Sequence, residues 1–261
     1  MFAEERHRLI GGLVTSKGRV TVAELSGRFE ITRETVRRDL AQLEQVGVLR
    51  RVHGGAVAAG KASTSEESLS ARTSRRHAEK ERIAAKALGL LPVGEASVVL
   101  DAGTTTELLA GLMADQLPRE RAAELLVITH AVPIAYRISS AAAFQLEVIG
   151  GRVRGLTSAA IGNRTVVQLE ALRPDIAFVG ANGVDASFGL STPDPLEAAV
   201  KSTIVRCARR VVVLADSTKL DQEALVRFAG LDEVDTLVTD RQPEAGLAAA
   251  LEAADVEVVL A

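Results

Sequence analysis

The sequence holds one cysteine in 261 residues, so no internal disulfide can form. The helical pattern around Cys207 reads it as a small buried hydrophobe. Histidine is nearly as scarce: the four, at 7, 53, 77 and 130, stand apart, and nothing calls for a metal or another cofactor. No apolar run approaches the roughly 20 residues that cross a bilayer, and the opening Met1 to Arg8 lacks the apolar segment of a secretory signal. A cytoplasmic protein with no membrane partner is expected. With 47% apolar residues, disorder along the whole length is excluded. Strong charge of one sign is also missing, the net being −3. That small sum hides a polarity. Residues 1–58 hold ten Lys and Arg against seven Asp and Glu, and 59–82 hold six against four. The remaining residues hold fifteen against twenty-three. A basic start on an acidic body suits a nucleic-acid-contacting module attached to something that does not itself bind phosphate backbone.

Within the basic part, Leu9, Ile10, Leu13 and Val14 share one face of a helix expected over about 4–15, which Gly11 and Gly12 weaken. Thr21-Val22-Ala23-Glu24 forms a capping box that opens a second helix, ending near Phe29. After a short turn, Thr32 caps a third helix whose Val36, Leu40 and Leu43 face inward, and Gly47 closes it. This leaves Arg33, Glu34, Thr35, Arg37 and Arg38 on the outer face. Taken alone, such a face is an ordinary solvated one; two helices joined by a tight turn make it a recognition helix, with bases and phosphates within reach. The run Val48 to Ala56, apolar and basic and ending in Gly54-Gly55, reads as a wing. The DNA-contacting candidates are therefore Thr21, Thr32, Arg33, Glu34, Thr35, Arg37, Arg38, Arg50, Arg51 and His53, in a winged helix-turn-helix over 1–57.

The string Thr32-Arg33-Glu34-Thr35-Val36-Arg37-Arg38-Asp39-Leu40, with His53-Gly54-Gly55-Ala56 at the expected separation, resembles the DeoR family of bacterial sugar-metabolism regulators. Thr32 and Val36 replace the family's usual Ser and Ile and keep their chemistry. The opening Met1 to Arg6 further resembles fructose-operon regulators, which makes fructose 1-phosphate the first effector to try.

Residues 58–73, rich in Ala, Gly, Ser, Thr and Glu, read as a flexible linker, and a single helix is expected from about 74 to 91. Beyond it, β-branched runs at 97–100, 125–129, 146–149, 176–180, 211–215, 236–239 and 256–260 alternate with helical patterns. Fully apolar strands between amphipathic helices imply an α/β domain over 74–261 with a mainly parallel, Rossmann-like sheet, in which ligands bind beyond the carboxyl ends of the strands. After the first strand stands Asp101-Ala102-Gly103-Thr104-Thr105-Thr106, where hydroxyls and free amides at a helix start can hold a phosphate. Thr104 with Glu107 fits an ordinary capping box equally well, and neither a Walker A loop nor a dinucleotide fingerprint follows. Glu197 and Lys201, four apart on one helix, also fit a surface ion pair.

The resemblance continues through these segments. It implies a sensing domain similar to ribose-5-phosphate isomerase, which binds a phosphorylated sugar. Asp101, Gly103, Thr104, Thr105, Thr106, Thr129, Gly150, Gly151, Asp185, Lys201 and Lys219 are then effector-binding candidates. Arg152 and Glu197 join them, as does His130, which replaces the family's usual Asn. An isomerase-like enzyme using Asp185 or Glu197 as base is the alternative, but the isomerases' denser acidic signature and Lys-Gly loop are absent. A DNA-binding architectural protein leaves the polar strand ends unexplained. The expected protein is a non-enzymatic regulator, probed by operator DNA and a sugar phosphate, and a homo-oligomer because one winged module buries little DNA surface.

Overall fold

The computed structural model describes residues 3–17, 19–46, 48–52, 54–58, 69–141 and 143–261, with backbone alone at 4, 15–17, 19, 50, 52, 57, 58 and 70. The chain divides into two compact units, Met1–Ser63 and Thr64–Ala261.

In the first unit, α1 (Ala3–Lys17), β1 (Arg19–Thr21), α2 (Val22–Phe29) and α3 (Arg33–Gln45) precede a hairpin of β2 (Leu49–Val52) and β3 (Gly55–Ala58). The strands form an antiparallel sheet in the order β1-β3-β2. Ile10 and Val14 of α1 pack with Leu25, Val36, Leu40, Leu43 and Leu49 into one core, whereas Leu9 turns outward. The glycines of the wing have separate reasons. Gly54 takes φ +80, and a Cβ on Gly55 would lie 2.1 Å from the Val20 carbonyl oxygen, so only glycine lets β3 lie against β1.

The second unit opens with α4 (Leu69–Ser74) and α5 (His77–Leu88). Two expectations are corrected here. Part of the predicted linker, from Leu69, is helical, and the predicted 74–91 helix is interrupted at Arg76, whose φ of 56 is left-handed. There follow β4 (Ala96–Leu100), α6 (Thr104–Gln116), α7 (Arg119–Ala123), β5 (Leu125–Thr129), α8 (Val132–Ser140) and β6 (Gln145–Val148). A hairpin of β7 (Arg152–Arg154) and β8 (Ala159–Ile161) leads to α9 (Asn163–Glu170), β9 (Ile176–Gly180), β10 (Gly183–Asp185) and β11 (Gly189–Thr192). The chain ends with α10 (Pro195–Cys207), β12 (Val211–Leu214), β13 (Val226–Ala229), β14 (Thr236–Thr239), α11 (Ala245–Ala253) and β15 (Glu257–Leu260). Seven strands form one wholly parallel sheet in the order β15-β14-β12-β9-β4-β5-β6.

Alternation along each strand builds a core on both faces. Val98, Leu100, Phe178, Val212 and Leu214 point to the side of α5, α6 and α8, and Val99, Ala177, Val179, Val211 and Val213 point to the side of α10 and α11. The chain runs outward from β4 through β5 and β6 and then resumes at β9 on the opposite flank of β4. The crevice beyond the carboxyl ends of β4 and β9 lies at that reversal, where such sheets bind ligands. Among the described residues, no helix is long and apolar enough to cross a membrane.

Candidate functional site

The first unit presents α3 as its exposed basic face. Thr32 Oγ1 accepts the Thr35 amide at 3.2 Å and lies 2.9 Å from the Thr35 hydroxyl, so both are committed to starting the helix. Thr21 Oγ1 does the same for α2, accepting from the Glu24 amide at 3.1 Å. Inward burial of Val36, Leu40 and Leu43 turns Arg33, Glu34, Arg37 and Arg38 to the surface. Arg37 and Glu34 form an open pair at 3.4 Å. Arg33, Arg37 and Arg51 line a shallow concavity with Val22, Ala23 and the Gly54-Gly55 turn. Arg51 is not loose: Glu44 accepts from its amide at 2.8 Å and from Nε at 2.6 Å, clamping the wing to the end of α3. Those two bonds hold the Glu44 carboxylate below its ordinary range. His53 and the Arg50 side chain lie outside the described residues.

Asp39, in the same helix, has a role that its neighbours in sequence do not disclose. It is 4% exposed. Its Oδ2 accepts from Arg6 Nε at 2.6 Å, and its Oδ1 accepts from Arg6 Nη2 at 3.0 Å and His7 Nε2 at 2.8 Å. Burial would push Asp39 up, but Arg6 and then His7 outweigh it and hold the carboxyl below its usual range. Asp39 thus fixes α1 across the back of α3, behind the exposed arginines.

In the second unit, a pocket opens at the topological reversal. Its floor is a buried charge cluster. Asp101, just past β4, is fully buried; Oδ2 accepts from the Lys201 ammonium and from the Gly180 amide at 2.9 Å. His130 Nδ1 donates to the Ala160 carbonyl at 2.9 Å and its Nε2 lies 3.1 Å from Asp101 Oδ1. Burial opposes ionisation of Asp101, and the charge of Lys201, followed by His130, overcomes it, so the carboxyl stays below its ordinary range. Lys201 also donates to the Gly180 carbonyl at 2.9 Å and lies 5.7 Å from the centre of the Phe228 ring.

The walls carry the start of α6 (Gly103, Thr104, Thr105 and Thr106), the loop after β12 (Asp216, Thr218 and Lys219), and Glu197 and Asn182. Arg72, Arg75 and Lys80 add a basic side. Burial, against the pull of Asp216 and reinforced by Lys219, Arg72 and Arg75, brings the Lys80 ammonium down to about 8. An electropositive recess facing the amino end of a helix of 13 residues is suited to a phosphate dianion.

Several expectations change on contact with this geometry. Gly103, not Thr104, precedes α6 as its cap, so the Thr104–Glu107 capping box is not formed. Thr106 is buried and donates to the Asp101 and Gly103 carbonyls at 2.6 and 2.8 Å, which leaves Thr104 and Thr105 as the wall hydroxyls. Glu197 and Lys201 are not a surface pair. Both are buried, and Glu197 Oε1 accepts from Thr157 Oγ1 at 2.5 Å and Arg154 Nη1 at 3.2 Å. Thr129 and His130 lie in the layer beneath, with Thr129 Oγ1 donating to the Leu100 carbonyl at 2.7 Å.

Besides Asp101, Thr129 and His130 beneath it, four further candidates lie outside the pocket lining. Asp185 caps the β10–β11 turn through the amides of Ser187 and Phe188, both at 2.8 Å. The exposed Gly150 accepts from Thr165 Oγ1 at 3.0 Å through its carbonyl, and a Cβ on Gly151 would meet that same oxygen at 2.2 Å, so Gly151 serves a tight contact. Arg152 is exposed on β7. Arg72, Arg75, Lys80, Asn182, Asp216 and Thr218 were not among the candidates. Asn182, Asp216 and Thr218 stand at strand ends, where the strand-end rule points, and Arg72, Arg75 and Lys80 belong to a cationic run from 72 to 82 ahead of the predicted sheet.

A winged helix-turn-helix followed by a polar crevice at the reversal of a parallel sheet defines a ligand-responsive transcription regulator. Comparison with protein families agrees: residues 6–62 match the DeoR-like helix-turn-helix domain and residues 75–241 the DeoR C-terminal sensor domain. The chain belongs to the DeoR family. It is 34% identical over 243 residues to an uncharacterised HTH-type transcriptional regulator, FruR, of Bacillus subtilis, with 93% of each chain covered. It is 33% identical over 246 residues to the lactose phosphotransferase system repressor of Streptococcus mutans, with 94% of each covered. Among solved structures, ribose 5-phosphate isomerase A of Methanocaldococcus jannaschii overlaps 54% of this chain and 53% of its own, at 20% identity and a TM-score of 0.40. The family match makes the chain a transcription regulator rather than an enzyme; of the two carboxylates considered as bases, Asp185 caps a turn outside the pocket and Glu197 lines it with Oε1 bonded to Arg154 and Thr157.

Proposed function

We propose that this regulator acts in the cytoplasm as a homo-oligomeric repressor of a sugar-catabolism operon, with DNA bound through residues 1–57 and the effector through the second unit, Arg72 of α4 included. Arg33, Arg37 and Arg38 contact operator DNA, Thr21 and Thr32 shape the helix starts, and the wing carries Arg50, Arg51 and His53 alongside. A sugar phosphate fills the pocket and releases the operator. The observation that carries this reading is the convergence of Arg72, Arg75, Lys80 and Lys219 on the amino end of α6. The phosphate sits there, accepting from Thr104, Thr105 and the Gly103–Thr105 amides, and the sugar hydroxyls turn toward Asn182, Glu197 and Lys201. Asp101, Thr129 and His130 support the floor and do not touch the ligand.

A free sugar would leave the cationic wall facing water, whereas a phosphate accepts several charge-assisted bonds there. The test is a gel shift on DNA upstream of the protein's own gene, with a panel of sugar phosphates starting from fructose 1-phosphate, together with calorimetry. A sugar phosphate should bind and release DNA, its unphosphorylated sugar should do neither, and Lys219→Ala should bind operator normally without responding. Tight binding of the free sugar, undiminished by Lys219→Ala or Thr105→Val, would overturn the reading.

A further inference from the structure

The first described element of the second unit is α4, and none of its described side chains belongs to either apolar cluster of that unit. An element without buried apolar anchors sits at the low-stability end of a structure, where small forces decide whether it is docked. Two polar struts stand at its pocket side and its hinge. Lys80 Nζ donates to the Arg72 carbonyl at 2.5 Å, tying α4 to α5 beside the pocket. At the kink between the helices, Arg76 adopts φ 56 and ψ 38, a conformation that a non-glycine residue keeps only when its surroundings hold it. Its surroundings are specific: Nη2 donates to Asp240 Oδ2 at 2.8 Å and Ser217 Oγ at 3.0 Å, and Nη1 pairs with Glu79 Oε1 at 3.2 Å. The Asp240 side chain, itself 4% exposed, in turn accepts from the Ser217 amide at 2.6 Å and hydroxyl at 3.1 Å. Ser217 lies between Asp216 and Thr218, both pocket residues.

We propose that Arg76, Asp240 and Ser217 form a latch that sets α4 against the pocket, so that an anion held by Arg72, Arg75 and Lys80 fixes α4 and with it the covalent connection to the DNA-binding unit. The inference rests on the pocket being the effector site. Arg76 is a positioning residue: the latch touches the pocket loop from behind and α4 at its hinge, so it transmits occupancy without contacting ligand.

Hydrogen–deuterium exchange of the full chain, with inorganic phosphate as the probe, tests this. At ten times its Kd, a ligand that binds only the docked form slows local opening about tenfold. Wild type should show that slowing at amides 70–76 and also at the α6 start, 104–107. Asp240→Asn should exchange faster at 70–76 without ligand and lose the phosphate effect there, while keeping protection at 104–107. Arg76→Gly, which suits the left-handed backbone and removes the whole side chain with its guanidinium, should behave alike and guards against a misfolded variant. Equal phosphate protection of 70–76 in wild type and both variants would overturn the latch, as would protection confined to 104–107 in wild type. Protection at neither segment of wild type would overturn the pocket reading and the latch with it.

Discussion

Removing the Asp39 carboxylate should destabilise the DNA-binding unit by about 3–5 kcal/mol, the usual result of stranding a buried cation by deleting its partner. The magnitude follows from the site. Arg6 makes two bonds to Asp39 at 2.6 and 3.0 Å, His7 a third at 2.8 Å, and the two side chains of the main pair are only 11% and 5% exposed. A unit the size of Met1–Ser63 commands roughly 3–9 kcal/mol in total, so Asp39→Ala takes it to the edge of unfolding and operator binding should fail with it. Native-state hydrogen exchange of the α1 and α3 amides in the full chain reads the loss directly, as exchange faster by roughly a hundredfold to a few thousandfold at one decade per 1.4 kcal/mol. The double variant Arg6→Met, Asp39→Leu should recover most of it, because the cost lies in the unpaired charge. Acid should act in the same direction. A carboxylate with a depressed folded pKa adds stability that is complete above its unfolded value, near 3.9, and is lost as pH falls through the folded one. Acceleration below about fivefold in Asp39→Ala would refute the reasoning, since 3 kcal/mol requires over a hundredfold.

Gly55→Ala should abolish operator binding without affecting the second unit, because its Cβ would stand 2.1 Å from the Val20 carbonyl oxygen and force β3 off β1; unchanged DNA affinity in a gel shift would contradict this. The Arg37→Ala, Arg38→Ala pair, in a protein shown to be folded, should cost about 1–3 kcal/mol per base contact or flatten the salt slope by about one per phosphate contact, and an unchanged affinity and slope would remove both from the interface. Calorimetric affinity for a sugar phosphate should fall as pH rises through about 8, where Lys80 loses its proton, and a pH-independent affinity would exclude Lys80 from the phosphate site. For folding the sign is opposite: with its folded pKa below the ordinary 10.5, the cost of burying charged Lys80 is complete below about 8 and relieved between the two values. Asp101→Ala should lower the thermal stability of the second unit by about 3–5 kcal/mol by leaving Lys201 buried and unpaired, which differential scanning calorimetry measures.

Local chemistry was legible in the sequence wherever a residue's role depends on near neighbours. The caps at Thr21 and Thr32, the inward stripe Val36, Leu40 and Leu43, and the seven parallel strands could all be read, because hydroxyl capping, helical spacing and apolar runs are short-range signals. The strand-end rule located the loops at 101–106 and 216–219 for the same reason. What sequence could not supply is which long-range partner takes each polar side chain. Asp39 looks like one more charge on an exposed helix until Arg6 and His7 reach it from α1. Glu197 and Lys201 have the spacing of a surface pair, yet burial of α10 sends one to Thr157 and Arg154 and the other to Asp101, a hundred residues earlier. Asp185 and Gly151 share their residue types with ligand-binding loops but serve a turn and a tight contact. Arg72, Arg75 and Lys80 precede the first strand of the sheet and become a pocket wall only because α4 and α5 fold back over its carboxyl ends. The sequence by itself determined the elements and their faces, since those follow from bonds and burial within a few residues; the tertiary structure decided which charges meet, since a buried ion is settled by whichever partner the whole fold brings within about 3 Å.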